Sequence, residues 1–188
     1  MNGFFASAAV WQVMMTVMMA PTAVPWLRAA RRFAPAGTAA AGTRFASGYF
    51  VAWLPFSAAL AAAQLGLGSA LSAHTRALIL LGAGVYQFLP VKSACLRHCR
   101  NPMTQFLGQW DKGPRSLLRL GLDHGVICLG CCWALMATAL ALGMMNYAWM
   151  LVLALVTFAE QTLPGTDWLR PIMGGALCLA AVSVAIAW

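Results

Sequence analysis

The chain has 188 residues, 62% of them hydrophobic and 9% charged, with a formal net charge of +8. A soluble domain carries roughly 25% charged residues, so an ordinary water-soluble globule is excluded. The basic residues gather between the apolar runs, where they set membrane topology, so the positive balance is not read as nucleic-acid binding.

Several apolar runs reach the roughly 20 residues that cross a bilayer, which predicts an all-α, polytopic membrane helix bundle in contact with lipid. Strands are not expected, because alternating patterns are absent and lipid forces backbone groups to pair within a segment. Six spans are predicted. The first runs from about Phe4 to Trp26. It has no basic start and is too long for a signal's apolar core, so it is read as a retained span. The second covers about Phe45 to Leu67, the third about Arg76 to Leu96, and the fourth about Leu118 to Leu142. The fifth covers about Asn146 to Leu163 and the sixth about Leu169 to Trp188. Pro21, Pro25, Pro55 and Pro90 are expected to kink or end helices. No hydrophilic stretch is long enough to fold separately, so residues 1–188 are read as a single transmembrane domain.

Arg28, Arg31, Arg32 and Arg44 occupy the first loop, and Arg97, Arg100, Lys112, Arg115 and Arg119 the third. Both loops are therefore expected in the cytoplasm. Both termini then face the periplasm of a bacterial inner membrane. A short repeat accompanies the loop ends. PTAVPWLRAAR from Pro21 aligns with PVKSACLRHCR from Pro90, and PGTDWLR from Pro164 aligns with one residue missing. This pattern suggests three helical hairpins inserted the same way, against the simpler reading that helix ends collect Pro and Arg.

The densest chemistry lies in the fourth span. His124, Cys128, Cys131 and Cys132 share one helix face by their spacing. Cys95 and Cys99 share a face of the third helix if it continues that far. Matching depths across the loop sets Cys95 near His124 and Lys92 near Cys128. Gly121 and Gly125 form a GxxxG pair that admits a close helix neighbour. Burying thiols and an imidazole in hydrocarbon is unfavourable without partners or a metal. Thiolates and thioethers select copper(I), and thiolate with imidazole also suits zinc. Met18, Met19, Met144 and Met145 could act as weak ligands leading copper inward; as plain packing they are adaptable core residues. Cys178 stands alone and is read as packing. Lys92 and Glu160 are intramembrane charges that could pair with each other or snorkel to the interface.

The chain resembles a bacterial family catalogued as predicted metal-binding integral membrane proteins, a domain family of unknown function. The resemblance rests on YQFLPVKSACLRHCRNP at Tyr86 to Pro102, GLDHGVICLGCCWALM at Gly121 to Met136, GMMNYAWM at Gly143 to Met150, and MMTVMMAPTAVP at Met14 to Pro25. It implies a polytopic membrane protein with a metal site at these cysteines and His124, and no established activity. The family pattern has Lys after the glutamate, where this chain has Gln161. The chain is short for that family, so the resemblance implies that an N-terminal extension is missing here.

Three functions follow from these residues. The first is copper(I) handling or transport through Cys95, Cys99, His124, Cys128, Cys131 and Cys132, in the cytoplasmic half of the bundle, with zinc as the other ion. The second is a thiol-redox membrane enzyme working through Cys128 and Cys131. The third is a non-catalytic structural or assembly subunit with a membrane-protein partner or a second copy of itself. A nucleotide-binding loop and a Ser-His-Asp arrangement are both unreadable in the sequence, so an enzyme is the less favoured class.

Overall fold

The computed structural model describes residues 2–33, 40–67, 71–101, 114–142, 147–163 and 165–187. Every regular element among them is an α-helix: α1 (Asn2–Phe33), α2 (Ala41–Leu67), α3 (Ala73–Phe88), α4 (Pro90–Arg100), α5 (Pro114–Leu142), α6 (Tyr147–Thr162) and α7 (Leu169–Ile186). Met144, Met145, Asn146 and Lys112 lie outside the described residues. α1, α2, α5 and α7 are long and apolar enough to cross a membrane, and the α3–α4 pair adds a fifth crossing if it counts as one span. α6 is apolar but has only 16 residues.

The six sequence spans thus become seven helices, because the third is broken. Pro90 has no backbone N–H and keeps the residue before it out of helical geometry. Leu89 accordingly sits at φ −68°, ψ 140° and serves both as the end of α3 and the start of α4, with Pro90 in the first turn. The two helices meet at 66°. The other prolines do not end their helices. Pro21 and Pro25 lie inside α1 and Pro55 inside α2, and both helices continue through them. In apolar surroundings, neighbouring helices and hydroxyls can satisfy the carbonyls that proline frees. The aligned Pro-Leu-Arg segments also diverge: one continues α1, one is the whole of α4, and the third turns into α7.

α2 lies along α5, α3 along α7, and α1 along α2. The α2–α5 seam is set by glycine. A Cβ on Gly121 would collide with the Phe45 backbone, and one on Gly48 with the Leu118 backbone. Here the GxxxG reading holds, with α2 as the neighbour. α3 and α7 approach through Gly84, against Cys178, and Gly174, against Phe88. Cys178 therefore packs between α7 and α3, as a small hydrophobe would.

The described helices bury two apolar clusters. The larger gathers the methionines of α1 with the cysteines of α5. The smaller holds Trp26, Ala30, Phe45, Leu117 and Leu120, from the later part of α1 and the beginnings of α2 and α5.

Gly121→Ala is expected to destabilise the fold by about 1–3 kcal/mol, the usual cost of overpacking a tight seam. Gly82→Ala, with open space at its Cβ, is expected to be neutral or mildly stabilising. Thermal unfolding in detergent distinguishes the two; equal midpoints would contradict the seam.

Candidate metal centre

Cys128, Cys131 and Cys132 occupy the middle of α5 and are fully buried. Their sulfurs all lie within 4.8 Å of one another. The helix itself satisfies part of this group. The Cys131 and Cys132 thiols both donate to the Cys128 carbonyl, at 3.1 and 2.8 Å.

Four other helices deliver a side chain to the cluster. From α4, Cys99 Sγ lies 3.8 Å from Cys131 Sγ. From α1, Met19 Sδ lies 3.8 Å from Cys132 Sγ. From α2, the Tyr49 hydroxyl lies 3.3 Å from Cys128 Sγ. From α6, the Gln161 side-chain amide points its nitrogen at Cys131 Sγ at 3.3 Å and at Cys128 Sγ at 3.7 Å. Two sulfurs each about 2.3 Å from one ion, with trigonal or tetrahedral angles, stand about 3.8–4 Å apart. The Cys99–Cys131 and Cys132–Met19 separations already have that value. The donor set therefore fits a soft ion that accepts both thiolate and thioether.

The break before Pro90 changes the register expected from sequence. Matching depths from the sequence sets Cys95 near His124 and Lys92 near Cys128. Instead Cys95 lies against Gly130, where an added Cβ would sit 3.1 Å from its sulfur. It is Cys99, one turn further on, that reaches the cluster. Tyr86, at the end of α3, donates its hydroxyl to the Gly130 carbonyl, so α3 and α4 both meet α5 at this level.

His124 is buried but stands outside the compact three-sulfur group. Its ring stacks on Trp26 at 3.8 Å between centroids, with Tyr49 at 5.5 Å and Phe45 at 5.9 Å. Its Nδ1 has no hydrogen-bond partner among the described residues. Trp26 also donates its indole N–H to the Cys99 carbonyl at 3.1 Å. One tryptophan thus braces both the imidazole and the end of α4.

Lys92 and Glu160 pair with each other at 2.6 Å, with side chains 0% and 2% exposed, so neither snorkels. Lys92 also donates to the Gln87 side-chain oxygen. Arg100 donates to the Glu160 carbonyl at 2.8 Å, to Asp167 at 2.9 Å and to Thr166 at 2.9 Å. Asp167 is exposed, so this network runs from a buried ion pair to the surface. Met18 is buried in the same apolar cluster as the cysteines and also borders a groove with Val17, Pro21 and Met150. The contacts that sequence reasoning missed are Gln161, Tyr49 and Trp26. Gln161 had one signal, its departure from the family's lysine; the two aromatics had none.

The chain matches the family model PpoB2, described as a copper chaperone, over residues 8–184, and it belongs to that family. Comparison with curated proteins and with solved structures gives no match.

Removing one partner of a buried ion pair strands the other charge and costs about 3–5 kcal/mol. Lys92→Met is therefore expected to destabilise the protein strongly, and Lys92→Met/Glu160→Leu to recover most of that loss. A double variant no more stable than the single one would show that the pair does not carry the coupling.

Proposed function

We propose that this member of the PpoB2 family is an integral membrane protein that holds copper(I) as cargo on Cys128, Cys131 and Cys132, with Cys99 as the fourth thiol, and passes it on. One observation carries the reading: three thiols from α5 converge within 4.8 Å of one another in a fully buried core, and a fourth comes from α4. The family's description as copper chaperones supports the same ion. Copper(I) is preferred over zinc because a thioether, Met19, borders the thiols, and thioethers select the softer ion.

The surrounding groups suit such cargo. A thiolate inside hydrocarbon needs hydrogen-bond donors or a cation. The Gln161 amide and the Tyr49 hydroxyl supply donors without competing as hard ligands. His124 is a reserve donor on the same face of α5, one turn before Cys128.

The whole chain is read as one helical domain crossing a bacterial inner membrane, with loops one and three in the cytoplasm and both termini in the periplasm. The charge bias supports this orientation. The cluster then belongs to the cytoplasmic half. α6 ends one residue after Gln161, and the Arg100–Asp167 pair reaches the surface beside it.

The test is metal content after purification in detergent under reducing conditions. About one copper(I) per chain is expected, lost in Cys128→Ser/Cys131→Ser while the melting behaviour is kept. A wild-type protein that holds no copper after copper(I) loading would refute the reading. Gln161→Ala is expected to weaken copper affinity about 10–100-fold, as loss of an outer partner of a metal ligand does.

A further inference from the structure

The sulfur donors do not stop at the cluster. Trp26 of α1 faces His124 of α5, and Met19 of α1 faces Cys132. Residue numbers fall along α1 as they rise along α5, so the two helices run antiparallel. Extending that register brings Met15 and Met136 to matching levels on the two helices. Met15 and Met136 each lie four residues beyond Met19 and Cys132 on their own helices, about 6 Å along the axis. Met15, Met19 and Met136 have no solvent exposure and belong to the apolar cluster that holds the cysteines. Two independent helices thus place thioethers on the same side of the site, in the direction away from α6's last turn and the Arg100–Asp167 network.

We propose that Met19, Met15 and Met136 form a thioether path by which copper(I) moves between the cysteine cluster and the opposite half of the bundle. This rests on the copper reading above and adds a direction to it. A thioether is neutral, so it binds copper(I) without the proton release that a thiol requires, and it gains nothing from zinc. Thiols alone would hold the ion. A run of weaker donors beginning 3.8 Å from Cys132 gives the ion a next position as it leaves. Met18 is left out of the path because it borders the groove shared with Met150, whereas the thioether that touches Cys132 is that of Met19.

The experiment uses the full chain in sealed proteoliposomes enclosing a fluorescent copper(I) chelator, with copper(I) supplied outside as its glutathione complex. Wild type is expected to deliver copper to the enclosed chelator. Met15→Leu/Met136→Leu is expected to slow delivery about tenfold or more, with the copper bound per chain and the melting temperature unchanged. Leucine for methionine conserves volume, and Met150→Leu is the control that leaves delivery at the wild-type rate. If the double variant does not load, each single variant is measured alone, and a slowed rate at normal loading in either supports the path. Delivery at the wild-type rate by the double variant, or by both single variants, overturns it. So does a wild type that binds copper yet delivers none. A wild type that binds no copper overturns the copper reading as well, so the two failures are told apart by the binding measurement.

Discussion

Lys92 and Glu160 meet at 2.6 Å, closed off from solvent, and the α4 and α6 contributions to the sulfur site depend on that contact. Lys92 shares the buried face of α4 with Leu96 and Cys99. Glu160 directly precedes Gln161 on α6. Holding Lys92 against Glu160 therefore presses α4 and α6 together where Cys99 and Gln161 approach Cys131. α4 has only 11 residues and follows a 66° break, so its own helical bonding cannot fix its direction. A charge pair in an apolar surround can, since neither partner is stable there without the other. Arg100 reinforces the junction by capping the Glu160 carbonyl and tying it to Thr166 and Asp167.

The second constraint is close backbone approach. Gly48 and Gly121 let α2 lie against α5, and that approach carries Phe45 and Tyr49 to the imidazole and thiols. Under the membrane reading, helices in lipid lack a hydrophobic driving force between them, so such packing and a few interhelical hydrogen bonds must hold the bundle. The Tyr49–Cys128 and Tyr86–Gly130 contacts are of this kind, and both end on α5. α5 is thus the element against which the others are placed, which explains why the dense motif lies at its centre rather than at a loop.

The all-helical class and the shared face of Cys128, Cys131 and Cys132 were legible because both follow from local periodicity. The partner of that face was not. Sequence spacing said that Cys95 and Cys99 lie on one side of a helix, but it could not choose between them. That choice depends on a bend whose presence Pro90 announces and whose angle only tertiary packing decides. For the same reason four prolines looked alike, yet three sit inside continuous helices. Lys92 and Glu160 were readable as two lone charges in oily helices that either pair or snorkel, and only the packing of α4 on α6 decides for the pair. Gln161, Tyr49 and Trp26 were not readable, because amides and aromatics are ordinary in apolar helices and only their neighbours give them a role.

The arrangement also bears on how a buried site can release its ion. A cage of four thiols with no outlet would store copper(I), since each Cu–S bond must be lost before water can replace it. Here the donors are not equivalent. Cys131 faces Cys99 on one side of α5, and Cys132 faces Met19 on another, because adjacent residues on a helix point about 100° apart. An ion shared by Cys131 and Cys132 can therefore lean toward a thiol on α4 or a thioether on α1 without leaving the cluster. Conduction through any pore requires sites attractive enough to enter and weak enough to leave. Under the copper reading, the two adjacent cysteines divide those tasks, with α4 completing the strong side and α1 opening the weak one.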